Sequence, residues 1–445
     1  MKEGKRMVRE ARIVSSLALF IVTFLVFLPV ASADEGPAAS GGNGGGKGGF
    51  FSGLSDYFSE LSPADVGHKP RIRPHIAFTQ GFHSNANLGH DQGDPAWQAR
   101  VAPGITFSIP SGKLYTEVDY TYGFSTTQGR KTHANINTHN LNALARYDLS
   151  ADTIIGVGNN IQFSEVPGEP GEPFILESAT AQVKHRISPK LSGSLSDTLQ
   201  FFEDKSRTRP NDFVDNGVTG SLSYDVTSDL AAGPSFSWNV RDFQDLDAKD
   251  YWQITPGVNV SYRLGPKTTL GGNFGWALRQ FSVKQGQNDT QSELVYGASA
   301  SHKLGQKLIW SVSYAKTITD TFDTSFVFRD KPESSILDNL DREFRVLKSH
   351  RLGSSATYNI NEKNSVNAFG DFQFISADKK DNFTHKTDGD ESAMEIGAGY
   401  SYRFNRYITF NALYAFGRRF TAENIPRTRN DYTFHKATAG VDISI

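Results

Sequence analysis

Over most of the chain, apolar residues alternate with small or polar residues in segments of about ten residues or slightly more. In one such segment Val101, Ile105 and Phe107 share a face, while Thr106 and Ser108 lie on the other. A period of two is that of a β-strand, because successive side chains point to opposite sides of a sheet. The pattern therefore restricts the chain to an all-β fold of many two-faced strands.

The alternation predicts eighteen strands, an even number. They are 71–81, 98–109, 113–126, 138–149, 153–165, 177–188, 191–203, 214–227, 230–243, 251–264, 268–283, 292–304, 308–322, 350–360, 365–377, 392–404, 407–421 and 432–445.

The links between these strands alternate in length. Short links such as Pro189-Lys190 and Gly265-Pro266-Lys267 are separated by longer, mostly polar ones. Short turns at one end, long loops at the other and an even strand count are typical of bacterial outer-membrane barrels. We therefore expect a transmembrane antiparallel up-and-down β-barrel with short periplasmic turns and long extracellular loops.

A soluble β-sandwich would show the same alternation, and the composition favours the barrel. The chain has 32 Phe and 16 Tyr, yet its mean hydropathy is −0.43. The apolar face carries more aromatic residues than a packed core needs, several of them near strand ends, as at Tyr120 and Tyr400. Aromatic rings at strand ends suit the level of the lipid headgroups.

The N-terminal region has the features of an exported protein. Basic residues precede the apolar run 17–30, which is too short to span a bilayer, and Ala31-Ser32-Ala33 forms a cleavage site. We expect a signal peptide over 1–33, a Gly-rich periplasmic leader over 34–70 with a short amphipathic helix near 50–61, and the barrel over 71–445.

Composition and motifs exclude several function classes. The chain has no Cys, and its formal net charge of −2 gives no basic surface for nucleic acid. Gly156-Val157-Gly158 lies within a strand and is not a nucleotide loop. Asp388, Asp390 and Glu391 could hold a divalent cation, but an ordinary solvated loop is the simpler interpretation. We expect no enzyme activity, no cofactor and no resident metal.

Charged residues on the polar face are the best functional candidates, because Arg or Lys facing lipid near the midplane would cost about 2 to 4 kcal/mol. Nine are basic and seven acidic, and they either line a pore or pair with one another and brace the wall. They are Glu117, Asp119, Arg146, Asp148, Lys184, Arg186, Asp225, Arg241, Arg263, Arg279, Lys303, Asp371, Glu395, Arg403, Lys436 and Asp442.

Three early motifs resemble the start of the beta-barrel porin type 2 family. They are Gly81-Phe82-His83-Ser84-Asn85-Ala86-Asn87, Val101-Ala102-Pro103-Gly104-Ile105 and Leu114-Tyr115-Thr116-Glu117-Val118-Asp119-Tyr120. That family includes outer-membrane components of exopolysaccharide production systems, so the resemblance implies a pore or an export role. It supplies no catalytic residues.

The final strand, 432–445, resembles the C-terminal recognition strand of outer-membrane barrels, although Ile445 replaces the usual aromatic last residue. The expected partners are outer-membrane lipid and lipopolysaccharide, the barrel assembly machinery, and hydrophilic solutes or a polysaccharide.

The sequence leaves three functions open. A passive channel for hydrophilic solutes is favoured, because no motif for energy coupling is present. The alternatives are exopolysaccharide export or assembly, and a non-conducting structural or adhesion barrel. The connection 323–349 is unusually apolar and predicts either a protruding hairpin, which we favour, or a constriction within the lumen.

Overall fold

The computed structural model describes ten segments of the chain. They are residues 70–84, 95–129, 133–165, 173–204, 212–243, 250–281, 290–319, 347–377, 391–421 and 432–445. The expected signal peptide, the leader with its helix, most of the connection 323–349, and Asp388 and Asp390 lie outside these residues. No helix in the described segments is long and apolar enough to cross a membrane.

All eighteen predicted strands are present. They are β1 (Arg71–His83), β2 (Ala96–Ser111), β3 (Leu114–Gly129), β4 (His133–Ser150), β5 (Thr153–Glu165), β6 (Pro173–Ser188), β7 (Leu191–Asp204), β8 (Phe213–Asp225), β9 (Leu230–Phe243), β10 (Tyr251–Leu264), β11 (Thr268–Phe281), β12 (Thr290–Leu304), β13 (Leu308–Thr319), β14 (Leu347–Asn359), β15 (Asn364–Ala377), β16 (Glu391–Arg403), β17 (Ile408–Thr421) and β18 (Tyr432–Ser444).

The strands form one closed antiparallel barrel. Each strand pairs with its neighbours in the chain, and β1 also pairs with β18, with Ile76 opposite Ile443 and Phe82 opposite Ala437. The backbone N–H of Ile445 donates to the carbonyl of Pro74 at 3.0 Å, a distance typical of a ladder hydrogen bond. Closure leaves no free sheet edge, as a transmembrane sheet requires.

The strand ends differ from the predictions mainly on the side of the long loops. β6 begins at Pro173, whereas alternation predicts a start at 177. The added residues are Pro, Phe, Ile and Leu, so both faces of the strand are apolar there and alternation does not mark its start. β8 ends earlier than predicted, because the Thr227 hydroxyl accepts hydrogen bonds from the N–H groups of Asp229 and Leu230 and turns the chain.

The eight short turns form in two ways. Gly112, Gly265 and Gly305 have φ of 53°, 69° and 68°, a region that favours glycine because it has no Cβ. The other five use a side-chain oxygen that accepts a backbone N–H within the turn, and these residues are Ser150, Ser188, Thr227, Asn361 and Asn405. Both devices suit tight hairpins, so the short predicted links are confirmed as turns.

Burial identifies the concave face of the barrel. The buried polar and charged residues, including Arg146, Asn160 and Arg279, all share one face by strand alternation and register. Large exposed apolar residues such as Phe107 and Val258 lie on the opposite face. Side chains converge inside a closed barrel and spread apart outside it, so the polar face is inside and the apolar face is outside.

Aromatic residues form two belts on the outer face. On β10, Trp252 and Tyr262 bracket an apolar stretch of about 33 Å along the strand, or about 25 Å along the axis at the usual tilt of ~40°. This equals the apolar height of known transmembrane barrels. At the loop end the belt contains three tyrosine–histidine hydrogen bonds of 2.7–2.9 Å between neighbouring strands, which join Tyr120 to His139, Tyr314 to His350 and Tyr414 to His435.

Carboxylates also interrupt the apolar pattern on the outer face, among them Glu177 and Asp197. Glu177 accepts a hydrogen bond from the Asn159 amide at 3.1 Å, and Asp197 accepts one from the Asn216 amide at 2.9 Å. Acidic residues cost less than Arg or Lys on a lipid-facing surface, and the amide partners reduce that cost further.

Candidate functional site: the inner wall of the barrel

All sixteen charged candidates lie on the inner face, but their burial differs. Arg146, Arg241 and Arg279 are buried. Seven are partly buried: Glu117, Asp119, Asp148, Lys184, Asp371, Glu395 and Lys436. Six are exposed: Arg186, Asp225, Arg263, Lys303, Arg403 and Asp442.

On β8 to β11, burial of the inner face increases from the turns toward the loops. On the hairpin of β10 and β11, Arg263 near the turn is exposed, whereas Arg279 near the loops is 2% exposed. On β8 and β9, Asp225 near the turn is exposed, while Arg241 near the loops is 6% exposed. On these strands the loop half of the wall is therefore the closely packed half, where a passing solute would meet fixed side chains.

Arg241 and Asp215 form the best-defined buried ion pair of the wall. They lie on neighbouring strands, and Arg241 Nε donates to Asp215 Oδ2 at 2.6 Å. The Asn239 amide donates to Asp215 Oδ1 at 2.6 Å, so both carboxylate oxygens are bound. The Arg241 guanidinium also lies 4.7 Å from the centre of the Phe213 ring. Such a network fixes two charges in place.

A second polar cluster spans three strands near β1. Arg73 on β1 donates to Glu117 on β3 at 3.1 Å, passing over β2, and the Tyr115 hydroxyl donates to the same carboxylate. His75 reaches Thr121 at 3.2 Å across Gly104, where a Cβ would overlap the imidazole ring. Only a concave surface lets side chains two strands apart meet in this way.

Other polar groups on the inner face also pair. Arg146 donates to Asp148 at 3.0 Å along its own strand, and Arg351 donates to both oxygens of Asp371. The Asn160 amide donates to Asn140 at 2.7 Å. Several of these charges therefore pair with one another and brace the wall. Such pairing does not exclude contact with solutes.

Aromatic rings and arginines meet at the loop end of β8 to β11. The Tyr251 ring has the Arg279 guanidinium 4.0 Å and the Arg241 guanidinium 6.0 Å from its centre. Arg279 Nε donates to Gln253 Oε1 at 2.9 Å, and Phe281 packs at an angle against Tyr251. This region combines positive charge with apolar surface.

Among the charged inner-face residues that were not sequence candidates are Arg73, Asp215, Arg351 and Arg419. Alternation could have found them, since each has the parity of the inner face. Asn216 on the outer face hides the alternation around Asp215, and the other three lie near the ends of their strands, where the apolar pattern fades.

Within the described ranges, no group of three or more His, Asp or Glu residues is placed to hold a metal ion.

No family model matches the chain, and no curated protein matches it. Among solved structures, Pseudomonas aeruginosa OpdQ is similar at 11% identity and a TM-score of 0.46, covering 85% of this chain and 99% of its own. Pseudomonas aeruginosa OccK5 (OpdH) has 13% identity and a TM-score of 0.46 over 85% of this chain and 100% of its own. Acinetobacter baumannii OccAB3 has 10% identity and a TM-score of 0.45 over 85% and 99%.

Proposed function

We propose that the chain forms a water-filled outer-membrane channel for the passive passage of hydrophilic solutes. The observation that carries the proposal is the opposite chemistry of the two faces of a closed eighteen-stranded barrel. The outer face is apolar between two aromatic belts and suits lipid. The inner face carries fixed charges, amides and hydroxyls, which suit water and polar solutes.

The strand number leaves room for a lumen. Eighteen strands spaced about 4.8 Å apart and tilted by ~40° give a barrel about 35 Å across between backbones. Side chains on the inner face narrow that width, most strongly in the packed loop half. Barrels of this size hold an aqueous channel unless a segment fills them.

Residues 1–33 would direct export, and residues 34–70 would remain in the periplasm beside the turns. The last strand, β18, would be recognised by the barrel assembly machinery, and the outer belts would contact lipid and lipopolysaccharide. Fractionation of expressing cells tests this placement. Recovery in the outer-membrane fraction, with the mature N-terminus at Asp34, is expected, and a soluble periplasmic protein would contradict it.

A polysaccharide substrate is the second candidate function. The motifs that resemble the type 2 family lie on β1 to β3, and Asn140, Asn142 and Asn160 offer an amide cluster on the neighbouring inner wall. Amides can exchange hydrogen bonds with sugar hydroxyls. Swelling of protein-loaded liposomes in sugars of increasing length separates the two candidates, because a general solute channel excludes long oligosaccharides and a polymer exporter admits them.

Planar-bilayer recording of the purified barrel tests the proposed channel directly. We expect discrete current steps that are proportional to voltage. Protein unfolded by heat before addition is the matched control and should give none. A folded barrel that inserts and carries no current would contradict the proposal and favour a structural or adhesion role.

A further inference from the structure

Arg279 differs from the buried arginines Arg146 and Arg241 in its polar partners. Its side chain is 2% exposed, and its Nε donates to the neutral Gln253 at 2.9 Å. Its Nη1 atom is buried and has no hydrogen-bond partner. Among the described residues no carboxylate forms an ion pair with it. Arg241, by contrast, is bound to Asp215 at 2.6 Å.

A buried guanidinium without an anionic partner is costly. The group remains charged in proteins, and an unpaired charge removed from water loses much of its solvation. The Tyr251 ring face at 4.0 Å compensates only in part, since a cation–π contact is weaker than an ion pair with a carboxylate. The remaining stabilisation can come from an anion that enters from the lumen.

The surroundings of Arg279 also favour an anion. The Arg241 guanidinium faces the same Tyr251 ring at 6.0 Å. Near the loops, the buried charged residues of the described wall are Arg241, Arg279 and Arg419 against Asp215. The packed half of the lumen therefore has an excess of fixed positive charge, which attracts anions and repels cations.

We propose that Arg279, together with Tyr251 and Gln253, forms an anion-binding site in the inner wall that makes the channel select small anions over cations. The ligand class is small anions, inorganic or carboxylate. The planar guanidinium can donate from Nη1 to either, and it can bind a carboxylate with two parallel hydrogen bonds. This inference deepens the proposed channel function and rests on it.

Reversal potentials in a potassium chloride gradient test the site. The wild type should be anion-selective, and Arg279→Gln should reduce the ratio of chloride to potassium permeability severalfold. Arg263→Gln, which removes an exposed arginine from the turn end of the same hairpin, should change the ratio much less. Conductance in potassium acetate should saturate with concentration for the wild type and become linear for Arg279→Gln, as expected when a binding site is lost.

The outcomes separate the site from the channel. No current from the folded wild type overturns the channel and the selectivity together. Currents whose selectivity and saturation are unchanged by Arg279→Gln, or changed equally by Arg263→Gln, overturn the anion site alone. Heat-modifiable mobility on gels checks that each variant folds. If Arg279→Gln does not fold, Arg279→Lys keeps the charge but loses the two parallel N–H donors of the guanidinium. This variant should retain chloride selectivity and show weaker saturation of the conductance in acetate. Unchanged saturation in acetate would overturn the site.

Discussion

A charge placed on the outer face of β10 should destabilise the barrel much more than the same charge one residue away. Val258 is 47% exposed on the outer face and lies six residues from Trp252 and four from Tyr262, close to the middle of the apolar band. Asn259 is its neighbour on the inner face, opposite Asn273 and Gly233. Val258→Arg should cost about 2 to 4 kcal/mol, which is roughly a 30- to 900-fold change in the folding equilibrium. Asn259→Arg should cost less than about 0.5 kcal/mol, because water reaches that face.

Denaturant unfolding of both variants in lipid vesicles measures the difference. The wild type and a Val258→Leu variant serve as references for insertion and for altered packing. Equal stability of the two arginine variants, or a larger loss for Asn259→Arg, would refute the assignment of inner and outer faces.

Two further predictions concern single turns and pairs. Gly265→Ala should lower the free energy of unfolding by about 1 kcal/mol through its positive φ alone, because no atom lies within 4 Å of the added Cβ. Gly272→Ala, on the outer face of β11, should be close to neutral. Equal unfolding midpoints for the two variants would contradict this. Asp215→Asn should lower the free energy of unfolding by about 3 to 5 kcal/mol, because the charge of Arg241 stays buried without its carboxylate. The same denaturant unfolding should show a loss of less than about 0.5 kcal/mol for Asp225→Asn, since Asp225 is exposed.

The strands could be predicted from the sequence because lipid and water act on alternate residues of the same strand. On β10 this alternation is uninterrupted from Trp252 to Leu264, and the predicted bounds equal the observed ones. At the start of β6 apolar residues occupy both faces from Pro173 to Leu176, so alternation gave no signal there. The outer-face pair of Asn159 and Glu177 shows that an amide partner can also break the pattern within a strand.

Alternation predicts which face a charged residue occupies, but not which residue it meets. The register between strands decides that Arg241 meets Asp215, and that Arg279, on the same face, meets Gln253. The difference between a paired and an unpaired arginine therefore requires the three-dimensional structure. The contact of Arg73 with Glu117 over β2 depends in addition on the curvature of the closed barrel.

Water on the inner face can be detected on β10 by cysteine labelling, because the chain has no native cysteine. Single cysteines at each position from 254 to 262 would be treated, in the membrane-inserted protein, with a charged thiol reagent that cannot enter lipid. We expect a reaction at every second residue, at Thr255, Gly257, Asn259 and Ser261, together with a drop in single-channel current on modification. Reaction at Val258 and Val260 instead, or no reaction on either face, would contradict a water-filled lumen.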